Sequence, residues 1–405
     1  MRVLLSAYSC LPGRGSEPGI GWNWANNIAR IGHDVTVITR LANRTVIDGF
    51  LANHSIEGLK FFYWDLPKIW WKMYKLPLGN YLYYFLWQFT AAREARRINA
   101  TERFDLVQHI TWGSLRIPSF MGSLGIPFVF GPVAGGEDTP KQLRGGLGVR
   151  GRVSDALRRI SNSCLGTWMR PTYKRASLIV TTTRETLEMI PARFRHKSAV
   201  CQAIGVNPDE FETTILDSSD AVKPSSRLEL LFVGRLLAWK GVHLILRALA
   251  MVRASSSEIH FTIIGSGKDR MRLDRLATEL GVTDRISWIP WMPREELLKT
   301  YNKFDLFVFP SMHDSGGTAV LEAMSFGLPV LCLDLGGPAM SVTNECGCVI
   351  RTGEATGDQV VASIAGYITE VLANPSLLKA SSVAARKRVQ CLTWITIVER
   401  VYNRL

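Results

Sequence analysis

Short apolar runs recur along this chain, each followed by a longer stretch compatible with a helix. In the first half these runs predict strands at 2–8, 34–39, 59–64, 104–110, 127–131, 177–182 and 198–204. In the second half they fall at 229–234, 259–265, 286–291, 305–310 and 329–333. Most are apolar throughout, as in Leu230-Leu231-Phe232-Val233 and Leu306-Phe307-Val308-Phe309. Strands of that kind are covered by helices on both faces, and strands alternating with helices build parallel sheets through crossover connections. The stretch 217–226, Asp-Ser-Ser-Asp-Ala-Val-Lys-Pro-Ser-Ser, is polar, lacks an apolar period and reads as a linker. The expectation is an α/β protein of two Rossmann-like, doubly wound domains facing each other across a cleft, 1–216 and 227 onward. Ligands of such sheets sit at the carboxyl ends of the strands.

Composition narrows the class. The 405 residues, 47% hydrophobic and 20% charged, suit two globular domains. No run of about 18 uncharged apolar residues occurs, so no spanning helix is expected. Met1-Arg2-Val3-Leu4-Leu5 runs straight into a strand, without a signal-peptide layout. The seven cysteines are scattered, with Cys346 and Cys348 the only near pair, and read as reduced thiols of a cytoplasmic protein. A net charge of +13 suits nucleic acid, an anionic membrane face or phosphorylated small molecules. No zinc-finger spacing or RNA-binding aromatic signature is present, which favours phosphorylated substrates and a membrane surface over nucleic acid. Gly146-x-Gly148-x-x-Gly151 matches a dinucleotide fingerprint but follows no buried strand.

Candidate chemistry concentrates in the second half. After the strand at 229–233 comes Gly234-Arg235-Leu236-Leu237-Ala238-Trp239-Lys240-Gly241. Arg235 and Lys240, just past a glycine turn, can serve one anion: arginine as a flat fork of donors, lysine as a point charge. Two solvated surface cations would give the same pattern. A second cluster, Pro310-Ser311-Met312-His313-Asp314-Ser315-Gly316-Gly317-Thr318, leads into a strong helix former that contains Glu322. Bare amides at a helix N-terminus bind phosphate or hydroxyl groups, and Asp314 and Glu322 would accept from pairs of hydroxyls. A capping Asp and a solvated Glu is the plainer alternative.

These two clusters, in this order and at this distance, resemble glycosyltransferase family 4, the retaining enzymes of the twin-Rossmann architecture called GT-B. Ile264-Gly265-Ser266-Gly267 and Leu328-Pro329-Val330 fit the same pattern. The resemblance implies that Arg235 and Lys240 bind the donor diphosphate after Gly234, and that Glu322 holds the ribose. By the same resemblance Gly316, Gly317 and Thr318 offer backbone donors, and Trp291, Met292 and Pro293 flank the nucleobase. Asp314 stands where the family commonly has Glu, one methylene longer. The Asp-x-Asp metal clamp of the other large glycosyltransferase fold is missing, so no metal or other cofactor is expected. The resemblance also implies a closing segment, 386–405, that packs back on the first domain, leaving 227–385 as the donor domain.

In the first half, Gly13-Arg14-Gly15-Ser16-Glu17-Pro18-Gly19-Ile20-Gly21 looks like the family's glycine loop, with Gly21 on the donor side and Gly19 on the acceptor side; a plain tight turn is the alternative. Glu137, after Gly131-Pro132-Val133-Ala134-Gly135-Gly136, is a candidate for the acceptor. His109 matches a histidine that helps position the transferred sugar, although spacing from Asp105 and Trp112 puts Ile110 in that register. A bulge would repair the mismatch; a hydrogen-bonded core histidine is the alternative. Segment 66–97 interleaves Trp70, Trp71, Tyr74, Tyr81, Tyr83, Tyr84, Phe85, Trp87 and Phe89 with Lys68, Lys72, Lys75, Arg93, Arg96 and Arg97. Attachment to the inner face of a membrane and core packing by a long helix explain this equally. The activity implied is transfer from a UDP- or GDP-sugar to a glycan or lipid-linked acceptor in cell-surface polysaccharide assembly. A sugar-nucleotide epimerase and a non-catalytic nucleotide-sugar-binding protein are the competing readings.

Overall fold

The computed structural model describes residues 1–76, 78–164, 166–207, 210, 227–252 and 258–405, so the expected linker 217–226 lies outside the described residues. The chain forms two units: Met1–Gly136 with Ile160–Ile204 and Trp394–Leu405, and Glu137–Arg159 with Gly205–Thr393.

The first unit is built on seven parallel strands, β1 (Arg2–Ala7), β2 (Asp34–Arg40), β3 (Leu59–Trp64), β4 (Leu106–Ile110), β5 (Phe128–Val133), β6 (Leu178–Thr181) and β7 (Ser198–Val200). Their order is β3-β2-β1-β4-β5-β6-β7, the doubly wound arrangement that reverses direction between β1 and β4. Alternate residues serve opposite faces. Val3, Leu5, Leu106 and Ile110 join one core with Trp24 and Ile28, while Leu4, Val107 and Phe130 join another with Tyr83, Tyr84 and Trp87.

The second unit repeats the plan with β8 (Leu228–Val233), β9 (Ile259–Ile264), β10 (Ile286–Ile289), β11 (Leu306–Phe309), β12 (Val330–Leu333) and β13 (Gly347–Ile350). The order is β10-β9-β8-β11-β12-β13, again all parallel, with the reversal between β8 and β11. β13 went unread in the sequence because Gly347-Cys348-Val349-Ile350 is short and opens on a glycine.

The units do not follow the expected sequence boundaries. Residues 137–159, assigned by sequence to the first domain, belong to the second unit. There Leu143 and Leu147 are buried, Gln142 Nε2 donates to the Thr352 carbonyl at 3.2 Å, and Arg272 donates to the Gly146 carbonyl at 2.8 Å. At the other end, residues 386–393 stay with the second unit, and only Trp394–Leu405 crosses to the first. The helix Trp394–Tyr402 packs on the helix Ser16–Arg30, burying Ile397, Val398 and Val401.

This closing helix ends on a buried polar chain. Tyr402 Oη donates to Gln108 Oε1 at 2.8 Å, and Gln108 Nε2 donates to the Gly131 carbonyl at 2.8 Å. Gln108 is fully buried, so removing the tyrosine hydroxyl strands its acceptor. Tyr402→Phe is expected to cost about 1–3 kcal/mol. Urea unfolding, read as a shifted midpoint at unchanged slope, checks this.

Candidate active site at the carboxyl edge of the second sheet

The reversal between β8 and β11 brings two loops together at their carboxyl ends, 234–241 after β8 and 310–317 after β11. Their backbones are joined where the Met312 N–H donates to the Trp239 carbonyl at 2.8 Å. Gly241 makes the close approach possible: its φ is +73°, and a Cβ there would stand 2.0 Å from the Pro310 carbonyl oxygen. A further loop supports the second of these, because the Gly337 N–H donates to the Asp314 carbonyl at 2.7 Å. A Cβ on Gly336 would lie 2.3 Å from that same oxygen.

Side chains complete the zipper. Lys240 Nζ donates to Asp314 Oδ2 as an ion pair, with both side chains about four-fifths buried, and the ammonium sits 4.7 Å from the centre of the Phe309 ring. His313 stacks on Trp239 with centroids 4.8 Å apart. Burial, followed by the neighbouring Arg158 guanidinium, lowers the His313 pKa to about 3, so its ring is neutral at physiological pH. Arg235 is exposed just beyond β8.

Asp314 Oδ1 accepts from the Gly316 N–H at 3.4 Å. Gly317, in the left-handed region, then caps the helix Thr318–Ser325, whose first amides have no side-chain cap. Glu322 lies in this helix and is 5% exposed, which overturns the solvated-face alternative. Its Oε1 accepts from Arg294, and its Oε2 accepts from the Tyr301 hydroxyl at 3.1 Å. Arg294 opens the helix Arg294–Thr300 directly after Trp291-Met292-Pro293. Trp291 is 74% exposed, and Met292 Sδ accepts from Thr300 Oγ1 at 3.5 Å. The structure thus gathers Gly234, Arg235, Lys240, Asp314, Gly316, Gly317, Thr318 and Glu322 around one sheet edge. It adds Arg294, Tyr301 and the Trp239–His313 stack, which no motif spacing pointed to. Glu137 belongs to the same unit but is 5% exposed, and Arg158 donates to its carbonyl.

The first unit places its candidates differently. The expected glycine loop is mostly helix: residues from Ser16 on form Ser16–Arg30, and both Gly19 and Gly21 are buried inside it. A Cβ on Gly21 would stand 2.1 Å from the Ser9 carbonyl oxygen and 3.0 Å from Thr111 Cγ2. His109 pairs with Ser6 of β1, and the ladder runs without a bulge from Val3–Leu106 to Ala7–Ile110. His109 and Ile110 therefore face opposite ways, Ile110 into the first core and His109 toward Tyr84, whose hydroxyl lies 3.2 Å from Nε2. Burial lowers the His109 pKa to about 4. Past the strand, Thr111 and Trp112 both have positive φ, a turn held by Glu17, which accepts from the Trp112 N–H at 2.8 Å.

The expected membrane segment divides. Tyr83, Tyr84 and Trp87 are core residues, and the Trp87 indole donates to the Trp64 carbonyl at 2.9 Å, so Trp87 cannot anchor a membrane. Ile69, Trp70, Trp71, Leu76, Leu78, Tyr81, Leu82 and Phe89 are exposed. Among the described residues no single helix is long and apolar enough to span a bilayer.

Two doubly wound parallel sheets, each reversing direction at a switch point, give the chain the twin-Rossmann fold of the GT-B kind. Over its whole length the chain is similar to sucrose-phosphate synthase from Thermosynechococcus elongatus, with a TM-score of 0.62, 17% identity and coverage of 100% of this chain and 98% of that one. Anabaena HepE in complex with UDP and glucose gives 0.61, at 15% identity over 100% and 99% of the two chains. Residues 216–388 match the family model of glycosyl transferases group 1. Among curated relatives, the D-inositol 3-phosphate glycosyltransferase of Mycolicibacterium smegmatis is 32% identical over 199 residues, 48% of this chain and 45% of its own length. The 2-deoxystreptamine glucosyltransferase of Streptomyces kanamyceticus is 27% identical over 221 residues, 53% and 56% of the two chains. This chain thus spans about half the length of the curated relatives it matches.

Gly241→Ala tests the geometry of the two loops. A left-handed non-glycine residue costs roughly 1–2 kcal/mol, and the clash with Pro310 adds to it. The expected outcome is a lowered Tm together with weakened nucleotide binding, read by calorimetry and titration on the same sample.

Proposed function

We propose that the chain is a glycosyltransferase that moves a hexose from a UDP- or GDP-sugar to a glycan or lipid-linked acceptor, with retention of configuration, in cell-surface polysaccharide assembly. The observation that carries this reading is the Lys240–Asp314 ion pair held beside the uncapped Thr318–Ser325 helix and the buried Glu322. The complex of HepE with UDP and glucose supports a nucleotide-sugar donor.

In this reading Lys240 and Arg235 receive the diphosphate. As the bond from the anomeric carbon to the diphosphate breaks, its electron pair leaves with the nucleotide, an acceptor hydroxyl oxygen bonds to that carbon and gives its proton to the departing phosphate, and the two cations offset the growing charge without reorganising. Asp314 orients the Lys240 ammonium and accepts from sugar hydroxyls. Amides of Gly316, Gly317 and Thr318 donate to sugar or phosphate oxygens, Glu322 accepts from the ribose hydroxyls, and Trp291 and Met292 flank the base. No resident metal is needed for this charge balance. His109 acts on the transferred sugar only through the Thr111–Trp112 turn that it and Tyr84 support.

Incubation with a panel of UDP- and GDP-sugars and acceptors separates the readings. Free nucleotide with a glycosylated acceptor supports transfer. A changed sugar still joined to its nucleotide indicates an epimerase, and tight binding with neither product indicates a sensor. Within this assay, Lys240→Ala should lower turnover about 100-fold or more while the protein stays folded. Activity should also survive EDTA; loss on chelation, restored by Mg²⁺ or Mn²⁺, would return the charge balance to a metal.

The exposed patch of Ile69, Trp70, Trp71, Leu76 and Leu78, with Lys68, Lys72 and Lys75 around it, fits docking on an anionic membrane face where a lipid-linked acceptor resides. Each cation near such a surface adds about 1 kcal/mol. The protein should co-sediment with phosphatidylglycerol vesicles at low salt and be released at high salt. Replacing Trp70 and Trp71 by Ser should abolish sedimentation at low salt as well.

A further inference from the structure

Glu322 has a partner whose backbone belongs to another part of the site. Arg294 follows directly on Trp291-Met292-Pro293, so its main chain anchors the loop assigned to the nucleobase. Its guanidinium reaches Glu322 Oε1 with one nitrogen and Glu210 Oε1 with another at 2.7 Å. Burial alone would lower the Arg294 pKa, but the Glu322 and Glu210 carboxylates outweigh it and hold the guanidinium above its ordinary range. Tyr301, fully buried and two turns further on, donates to the other oxygen of Glu322.

A carboxylate has about four acceptor positions on its two oxygens. Arg294 and Tyr301 use one on each oxygen, which leaves room for two hydroxyls and sets the direction in which they must approach. Without the guanidinium, a carboxylate 5% exposed would be left as an uncompensated buried charge.

We propose that Arg294, assisted by Tyr301, is a positioning residue that couples the base-flanking loop 291–293 to the ribose-binding carboxylate of Glu322. This rests on the nucleotide-sugar reading above. Arg294 touches no phosphate in this scheme. Its effect belongs to the nucleoside half of the donor alone, whereas Lys240 and Arg235 serve the diphosphate half.

The test compares UDP, GDP and inorganic pyrophosphate binding by calorimetry in the wild type, Arg294→Met, Arg294→Lys, Tyr301→Phe and the double variant Arg294→Met with Glu322→Gln. Arg294→Met should weaken the preferred nucleoside diphosphate about tenfold or more while leaving pyrophosphate affinity unchanged. Arg294→Lys should restore much of the affinity, and Tyr301→Phe should show a smaller loss. The double variant leaves no buried charge unpaired, which keeps the measurement possible if Arg294→Met unfolds; it too should lose nucleoside diphosphate affinity and keep that for pyrophosphate. Equal loss of nucleotide and pyrophosphate binding, or unchanged nucleotide affinity in Arg294→Met, overturns the coupling and leaves the transferase reading standing. Failure of the wild type to bind UDP or GDP removes that reading, and the coupling with it.

Discussion

The candidate site depends on how closely backbone can approach backbone at the carboxyl edge of a parallel sheet. Strands β8 and β11 end side by side, and their loops leave in directions that would normally keep them a side chain apart. Gly241 removes that spacing against Pro310, and Gly336 removes it against Asp314. Only with the loops at this distance can Lys240 of one and Asp314 of the other form an ion pair. The pair then fixes a flexible lysine in one place, as the role proposed for Lys240 requires of a cation that meets charge appearing only during reaction. Its intrinsic contribution to stability is small for partly exposed partners. What it supplies is direction.

Much of this was legible in the sequence because it is local. Apolar runs of four to six residues mark strands buried on both faces, and the glycines beside Lys240 and Asp314 mark where the chain must turn. The unread parts are those decided at long range. Nothing in 137–159 signals that Leu143 and Leu147 fill the second core and not the first. No spacing links Arg294 to Glu322, 28 residues apart, since the link depends on the register of β10 and β11 and the helices that follow. The glycines of 13–21 looked like an open loop, but Gly19 and Gly21 serve helix packing, which requires the same residue for a different reason. In 66–97, aromatic rings at every spacing concealed that one helical face is core and the preceding turn is surface.

The two units face the same topological problem and solve it with different chemistry. In the second unit the switch point is lined by glycines, an ion pair and bare amides, all suited to a charged ligand. In the first unit the equivalent edge is held by Thr111 and Trp112 in left-handed conformations, with Glu17 on the Trp112 amide and Ser9 donating to Thr111 Oγ1. Rings of Tyr84, Trp87 and Trp112 pack edge to face on Tyr8 beside it, with Tyr84 and Trp112 tilted against each other. Two consecutive strained residues persist only where neighbours over-determine them, and here hydrogen bonds and ring packing do so from several sides. The result is a packed aromatic cluster, with Tyr8, Tyr84 and Trp87 buried, where the second unit carries glycines and an ion pair. The asymmetry between the two edges is therefore chemical, and the shared fold serves only to put each edge at the end of its strands.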